Sequence, residues 1–301
     1  DKNVGAFYIL KLPAATCVLL GAIVASTDPA SLIPVFKQVK IKDRLKQTVI
    51  SESAFNDAFG AILFSSVLTS LTMSQKSSLL ETVLQLVFMI FIGLFVGTAI
   101  ALIGTALAST KTYGIFDKYE PIISLIIVIF SYELSERLGG SGYMSVFIAG
   151  LVTGNKKIFN LWIEDDIYIE GVHFRETLSK IARMAIFIVL GTHLDLNALI
   201  KYGVRSFLIA LILIFIARPI VVILCTAFDR KVKWSKNEKL FMMWVRETGV
   251  IPAALSGIVV SDKIAGYEII SSTVFMCIVL TLLIQASTTG IVAKKLDVLE
   301  K

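Results

Sequence analysis

Apolar stretches of about 20 residues recur along the chain, and they constrain its fold more than any other feature of the sequence. A helix rises about 1.5 Å per residue, so such a stretch can cross about 30 Å of hydrocarbon. The mean hydropathy of +0.81 and a charged fraction of 17% exclude an ordinary water-soluble domain. We therefore predict an all-α polytopic transmembrane helix bundle. Its nine spans are 8–36, 48–72, 83–109, 120–139, 140–155, 179–195, 206–228, 240–260 and 270–293.

Basic residues are concentrated on one side of these spans. Eighteen Lys and Arg residues fall in the connections on one side, and seven fall on the other. By the positive-inside rule the first side is the cytoplasm, which places the N-terminus outside and the C-terminus in the cytoplasm. The net charge of +6 thus orients a protein in a lipid bilayer, and no nucleic-acid partner is expected.

Two spans contain helix-breaking residues beside polar groups. The first span carries Ser26-Thr27-Asp28-Pro29, and the eighth carries Arg246-Glu247-Thr248-Gly249 with Pro252. Proline removes a backbone donor and clashes with the preceding turn, and the freed peptide groups are tolerated in a membrane only inside protein or beside a wet cavity. Each span is therefore predicted to unwind midway. Paired interrupted helices are typical of transporters built from inverted repeats, with the substrate where the breaks cross.

The second span holds Glu52, Ser53, Asn56 and Asp57. An aspartate at the centre of a membrane helix costs about 2.5–3.5 kcal/mol on insertion scales, so an acid there indicates function. At 100° per residue, Ser53 and Asp57 share one stripe of the helix, and Glu52 and Asn56 share the neighbouring stripe. We therefore predict different roles for the two acids.

Glu52 needs a buried cation as its partner, and the sequence offers Arg218 and Arg246. Arg218 lies in an apolar helix with no acid nearby in sequence, whereas Arg246 has Glu247 beside it. We therefore pair Glu52 with Arg218. Two interpretations of this pair stay open: it locks two helices together, or it takes part in transport.

The other acids suggest a cation site. Asp28 and Asp57, with the hydroxyls of Thr27 and Ser53 and freed carbonyls, offer hard oxygen ligands for an unhydrated cation. The alternative for Asp28 is a cap on the half-helix that begins at Pro29.

Two rival classes fit these residues less well. An intramembrane aspartyl protease also uses two aspartates, but neither acid here has the flanking glycine of such enzymes. A cation channel needs a filter of glycines and carbonyls, and the sequence has no such run.

Together these motifs resemble the NhaP-like branch of the monovalent cation:proton antiporter family. The resemblance rests on Thr27-Asp28-Pro29, Glu52-Ser53 followed by Asn56-Asp57, Arg218-Pro219, and Arg246 with Gly249. It implies the sodium/proton antiporter fold, with inverted repeats and two crossing discontinuous helices. It also implies a homodimer in a prokaryotic cell membrane that exchanges sodium or lithium for protons and is not an enzyme. A potassium/proton antiporter of the same fold is the alternative.

The resemblance also implies roles for single residues. Thr27, Asp28, Ser53 and Asp57 would bind sodium, with Asn56 beside them, and Glu52 with Arg218 would form a structural ion pair. An Asn-Asp pair at positions 56 and 57 is associated with electroneutral exchange. Arg246 and Glu247 are possible accessory residues at the second break, and Glu247 stands where many relatives have glycine. No cofactor is implied beyond the transported ion and proton.

The chain departs from the family pattern in the position of its first unwound helix. That helix comes first here, whereas in the family several spans precede it. We therefore expect residues 1–301 to form one transporter domain of about nine spans that lacks the N-terminal spans of the family.

Overall fold

A computed structural model describes residues 13–30, 32–72, 79–110, 115–192, 195–229 and 232–300. Within these ranges the chain is built of helices, and its one β contact is an isolated antiparallel bridge between Ile41 and Leu299. The prediction of an all-α bundle is confirmed. The helices are α1 (Ala14–Ala25), α2 (Leu32–Val39), α3 (Asp43–Thr72), α4 (Leu79–Ala108), α5 (Glu120–Arg137), α6 (Gly142–Gly154), α7 (Asp165–Thr192), α8 (Leu196–Phe228), α9 (Lys236–Trp244), α10 (Val250–Ser261) and α11 (Tyr267–Lys295).

The long apolar helices coincide with predicted spans. Four helices of the described part are long and apolar enough to cross a membrane: Asp43–Leu71, Val83–Ala108, Leu196–Phe228 and Tyr267–Lys295. Shorter apolar helices are Ala14–Ala25, Gly142–Gly154 and Val250–Ser261. Two of the long helices contain a π-helical segment, Leu213–Ala217 in α8 and Thr281–Ala286 in α11.

Both predicted helix breaks are present. The first separates α1, which ends at Ala25, from α2, which begins at Leu32, and the second separates α9 from α10 over residues 245–249. Residues 8–12 of the first predicted span, together with Arg230 and Lys231 of a basic connection, lie outside the described residues.

The sixth predicted span, 179–195, falls in the second half of a longer helix. The predicted connection before it, 156–178, is helical from residue 165, because α7 runs without interruption from Asp165 to Thr192. Asp165 and Asp166 occupy its first turn, where acidic side chains favour the positive end of the helix dipole. A search for uniformly apolar residues therefore missed the first half of a helix that changes from polar to apolar along its length.

The chain divides into two compact units. Residues 1–67 and 186–301 form one, which we call the site unit, and residues 68–185 form the other, which we call the α4–α6 unit. The prediction of one transporter domain with about nine spans stays a prediction.

Close helix contacts hold the α4–α6 unit together. A Cβ atom on Gly97 of α4 would lie 2.2 Å from the carbonyl oxygen of Ser145 on α6, so the two backbones approach closely only because residue 97 is glycine. Ala101, Ile127, Ala149 and Val152 form the core beside this contact. At the edge of the unit Arg175 donates to the buried Glu120 at 2.6 Å.

The site unit contains α1, α2, the first part of α3, and α8 to α11. Its apolar core includes Leu32 and Phe36 of α2 and Phe241 of α9, and the rings of Phe36 and Phe241 lie 6.3 Å apart between centroids. The same core includes Val298 of the tail, whose carbonyl accepts the amide of Lys42 at 3.2 Å. The tail therefore packs beside the basic connection at 37–47, on the side that the charge count assigns to the cytoplasm.

Candidate cation and proton site

The first helix break leaves several peptide groups without partners in their own helix, and distant residues bond to them. Ser53 donates its hydroxyl to the Thr27 carbonyl at 2.6 Å, and Arg246 donates to the Val24 carbonyl. The amide of Asp28 donates to the carbonyl of Glu247 at 3.1 Å. Because a buried peptide group without a partner is costly, these three bonds stabilise the unwound segment.

The stripe of α3 that carries Ser53 and Asp57 faces this break. Ser53 is buried and reaches Thr27, and one turn further along α3 the carboxylate of Asp57 accepts a hydrogen bond from the fully buried hydroxyl of Ser26. The break therefore brings the hydroxyl oxygen of Ser26 and the carbonyl oxygen of Thr27 to the side of α3 that carries Ser53 and Asp57.

The neighbouring stripe of α3 contacts Arg218. Both terminal guanidinium nitrogens of Arg218, Nη1 and Nη2, donate to Glu52, and the Nη2–Oε2 distance is 2.9 Å. Arg218 also donates to the carbonyls of Met242 at 2.9 Å and Val245 at 3.3 Å. Asn56 donates its amide to Glu52 at 3.3 Å, so its side chain contacts the ion pair.

The second helix break is deeply buried. Arg246, Glu247 and Thr248 are 4%, 2% and 0% exposed. Besides the bond to Val24, Arg246 donates to the Thr248 hydroxyl at 3.2 Å. The Glu247 carbonyl accepts the Asp28 amide, as described above.

Asp28 lies where the two breaks meet. A Cβ atom on Gly249 would lie 2.0 Å from the Asp28 Cβ, so only glycine fits at position 249 without displacing Asp28. One carboxylate oxygen of Asp28 accepts the Ala30 amide at 3.0 Å, and the other lies 3.5 Å from the Val250 nitrogen. Asp28 therefore contacts the amide of Ala30, two residues before α2, and approaches the amide of Val250, the first residue of α10. Whether Asp28 caps a half-helix or binds a cation stays a prediction.

A small cavity lies between the breaks, with a volume of about 10 Å³. It is about the smallest space that holds one water-sized particle. Its walls include Thr27, Asp28, Glu52, Ser53, Arg218, Arg246 and Glu247. Thr27, Asp28 and Ser53 therefore line one space, whereas Asp57 and Asn56 do not line it.

Sequence reasoning missed three residues near the breaks. Ser26 was named as part of the first break, but its bond to Asp57 was not foreseen. Thr281 and Gln285 of α11 contact the second break, through the Thr248 amide and the Trp244 carbonyl. The available signal was their polarity within the apolar run 270–293.

Comparison with known proteins assigns the chain to a family. The family model described as "Sodium/hydrogen exchanger, transmembrane" matches residues 4–295. The Na(+)/H(+) antiporter 1 of Methanocaldococcus jannaschii is 35% identical over an alignment that covers 96% of this chain and 71% of that protein. The chain belongs to the sodium/hydrogen exchanger family. The predicted resemblance to NhaP-like antiporters is thereby confirmed.

Solved structures agree with this assignment of fold. The structure of the sodium proton antiporter MjNhaP1 from Methanocaldococcus jannaschii at pH 8 superposes with a TM-score of 0.83 at 30% identity, covering 98% of this chain and 74% of that one. The sodium/proton antiporter fold is therefore confirmed. Members of the sodium/hydrogen exchanger family are transporters, so this is an integral multi-pass membrane protein and not an enzyme.

Other relatives differ in the cation that their names give. The Na(+)/H(+) antiporter ApNhaP of Aphanothece halophytica is 28% identical and covers 96% of this chain. The K(+)/H(+) antiporter NhaP of Alkalimonas amylolytica is 26% identical and covers 98% of it. The chain spans 55% and 50% of the lengths of these two relatives.

Proposed function

We propose that the protein exchanges a monovalent cation, sodium or lithium, for protons across the membrane. The observation that carries the proposal is that two acids lie at the first unwound segment. The Asp57 carboxylate accepts a hydrogen bond from Ser26 of that segment, and Asp28 lies two residues after Ser26 in the same segment. The sodium/proton antiporters among the relatives support the same activity. The proposed substrates are the cation and the proton, and the mechanism needs no cofactor.

The mechanism that we propose is competition between a proton and the cation for Asp57, and with it Asp28. Either a proton or a cation neutralises the carboxylate, and the loaded site is then exposed to one side of the membrane and afterwards to the other. The Ser26 hydroxyl can donate to the ionised carboxylate while the site exchanges its ligand. Thr27 and Ser53 would supply neutral oxygens to the cation.

The size of the cavity favours a cation without most of its water. A volume of about 10 Å³ admits one water-sized particle. A cation bound there would lie beside Asp28 and would exchange its hydration shell for oxygens of Thr27, Asp28 and Ser53. Asp57 lies one turn beyond Ser53 on the same stripe of α3, outside the cavity lining, so the cation would pass between the cavity and Asp57 during exchange. We propose Arg246 and Glu247 as accessory residues, because they form part of the same wall.

We propose further that exchange is electroneutral. Arg218 compensates the charge of Glu52 through two hydrogen bonds, and the Asn56 amide cannot carry a titrating proton at physiological pH. We assign the exchanged charge to Asp28 and Asp57, and we propose that Glu247, which lines the same cavity as Asp28, keeps one charge state throughout. One proton then replaces one cation without net movement of charge.

Proteoliposomes containing the full-length protein test the exchange. A fluorescent pH indicator inside the vesicles should report proton movement when sodium or lithium is added, and Asp57→Asn should abolish it while the protein stays folded. Asp262→Asn, at the exposed end of α10, is the matched control and should transport normally. Wild-type rates in Asp57→Asn would contradict the proposed role of Asp57.

The same vesicles decide between sodium and potassium. One relative is named as a potassium/proton antiporter, so potassium is the second candidate substrate. Proton movement on addition of potassium but not of sodium or lithium would replace the proposal with potassium/proton exchange.

A diffusion potential tests electroneutrality. Membrane potential contributes about 2.3 kcal/mol per elementary charge per 100 mV, so an electrogenic step would change speed strongly with the sign of the potential. Potassium and valinomycin can impose either sign while sodium-driven proton flux is followed. We expect equal rates, and a several-fold difference would show that net charge moves.

We infer for the assembly a homodimer in a prokaryotic cell membrane with a cytoplasmic C-terminus. The family resemblance supports the dimer, and the distribution of basic residues supports the orientation. Crosslinking in native membranes and protease access to a C-terminal tag from the cytoplasmic side would test the two inferences separately.

A further inference from the structure

Two polar side chains of α11 contact the second helix break. Thr281 and Gln285 are both 0% exposed. The Thr281 hydroxyl accepts the amide of Thr248 at 3.0 Å, and the Gln285 amide donates to the carbonyl of Trp244 at 2.6 Å. Trp244 is the last residue of α9, and Thr248 precedes α10 by two positions. The two side chains therefore bond to opposite ends of the unwound segment.

These bonds replace those that a continuous helix would make. An unwound segment inside a membrane protein leaves amides and carbonyls without helical partners, and each must find another partner or remain costly. Gln285 supplies a donor to the end of α9, and Thr281 supplies an acceptor close to the start of α10. Together they hold the second break open at a fixed length.

The Thr281 bond lies close to Asp28. Thr248 stands between Glu247, whose carbonyl accepts the Asp28 amide at 3.1 Å, and Gly249, which packs directly against the Asp28 side chain. A shift of the Thr248 backbone would therefore move both contacts of Asp28 together.

The Gln285 bond lies close to the ion pair. Trp244 precedes Val245, whose carbonyl accepts from Arg218 at 3.3 Å, and Arg218 holds Glu52. Loss of the Gln285 bond would therefore loosen the end of α9 to which Arg218 is anchored.

The helix geometry at these residues is also unusual. Thr281 and Gln285 both lie in the π-helical segment Thr281–Ala286. The π-helical segment of α8 ends at Ala217, directly before Arg218, which donates to the Val245 carbonyl of the same break. Short π-helical segments occur frequently at functional sites. In the part of the chain that the structure describes, one π-helical segment thus contains Thr281 and Gln285, and the other directly precedes Arg218.

We propose that Thr281 and Gln285 are positioning residues for transport, which hold the second break in the geometry that presents Asp28 to the cation. This inference rests on the proposed function. Neither residue lines the cavity between the breaks, so their effect would act through the position of Asp28. We therefore expect their loss to weaken cation affinity more than the maximal rate.

The decisive variant is Thr281→Val, which keeps the shape of the side chain and removes the acceptor for the Thr248 amide. We expect KM for sodium in proteoliposomes to rise about tenfold, with kcat changed by less than about twofold. Thr281→Ser restores the hydroxyl and should return KM close to the wild-type value. Gln285→Leu should raise KM in the same direction, and it decides the question independently if Thr281→Val does not fold.

Thr289→Val is the matched control. Thr289 is also 0% exposed on α11, but its hydroxyl bonds at 2.6 Å to the carbonyl of Gln285, within its own helix. This variant should keep the wild-type KM, although it loses a buried hydroxyl of the same kind. Equal KM values in Thr281→Val, Gln285→Leu and Thr289→Val would overturn the positioning role.

A binding measurement separates this inference from the proposed function. Sodium that binds the folded state raises the melting temperature, and the concentration needed should rise about tenfold in Thr281→Val but not in Thr289→Val. If the wild-type protein moves no protons with sodium, lithium or potassium, the proposed exchange fails while this binding comparison still tests Thr281. An identical sodium dependence in the two variants would overturn the inference.

Discussion

The two helix breaks of the site unit interrupt membrane helices in the same way, yet they present opposite chemistry. The first break supplies oxygen atoms and a half-buried carboxylate, Asp28. The second break supplies a buried cation, Arg246, and its residues Arg246 to Thr248 are at most 4% exposed. An interrupted helix is thus only a source of free peptide groups, and the side chains around it decide whether it binds an ion or supports the segment that does.

The partners of the breaks explain the difference. On the side of α3 the first break is bonded to two single side chains, Ser53 and Asp57, and on its other side it is bonded to the second break. The second break is bonded to two other helices, through Arg218 of α8, which donates to the Val245 carbonyl, and through Thr281 and Gln285 of α11. We therefore expect the first break to change its contacts during transport and the second to act as a fixed support, and three predictions test this.

The largest loss of stability is expected when Arg218, which bonds to the second break, is replaced. Arg218→Met leaves the largely buried Glu52 without its cation and frees the Met242 carbonyl, so the protein should lose about 3–5 kcal/mol of stability. The double variant Glu52→Gln with Arg218→Met leaves no unpaired charge and should recover much of that loss. Thermal unfolding in detergent measures both.

An exposed ion pair provides the control for this cycle. Arg137 contacts Glu133 at 2.8 Å on the exposed surface of α5, so Arg137→Met should cost at most about 1 kcal/mol. If the double variant at 52 and 218 is less stable than either single variant, the two residues are not energetic partners, and Arg218 supports the break through its backbone contacts alone.

The next largest loss of stability is expected where Gly249 of the second break packs against Asp28 of the first. Gly249→Ala places a methyl group 2.0 Å from the Asp28 Cβ, so either Asp28 or the second break must move. We expect a loss of about 1–3 kcal/mol in stability and a loss of cation-driven proton flux. Gly257→Ala on α10 is the control, because its methyl group meets open space. Normal flux in Gly249→Ala would show that Asp28 does not need its present position.

The smallest effect is expected where α9 begins, at Glu238, which lies in the connection that precedes the predicted span 240–260. Burial by itself raises the pKa of the Glu238 carboxyl, but hydrogen bonds from the Ser235 amide and from Arg44 outweigh it and hold that pKa below its usual value of 4.5. A lowered pKa contributes stability above about pH 4.5 and loses it as the pH falls through the folded-state pKa. Arg44 is partly exposed, so we expect about 1 kcal/mol or less.

The measurement is the melting temperature between pH 7 and pH 3. Glu238→Gln should melt at a lower temperature than the wild type at neutral pH, and the two should converge at acid pH. Glu176→Gln, which changes an exposed acid of α7, should follow the wild-type curve. Parallel curves for Glu238→Gln and the wild type would show that the charge of Glu238 does not anchor α9.

Much of the fold could be predicted because a membrane imposes simple rules. Length and hydropathy located the spans, and proline or glycine beside polar residues located both breaks. The start of α7 escaped this approach because its first turns carry Asp165 and Asp166, and a hydropathy criterion does not recognise a helix that begins outside the hydrocarbon.

The site was only partly accessible to the same reasoning. Helical periodicity separated Ser53 and Asp57 from Glu52 and Asn56, and in the structure the two stripes do contact different partners. Elimination paired Glu52 with Arg218, and their side chains are in contact. The bond of Asn56 to Glu52 was not foreseen, because periodicity gives the face of a helix but not the rotamer of a side chain.

The sequence by itself determined which residues are too polar for a membrane helix and which helices must unwind, since both follow from the cost of placing charge and free peptide groups in hydrocarbon. The tertiary structure alone decided how the freed groups are satisfied. Hydrogen bonds act over about 3 Å and depend on orientation, so only the packed arrangement selects Ser26 for Asp57, Gly249 for Asp28, and Thr281 and Gln285 for the second break.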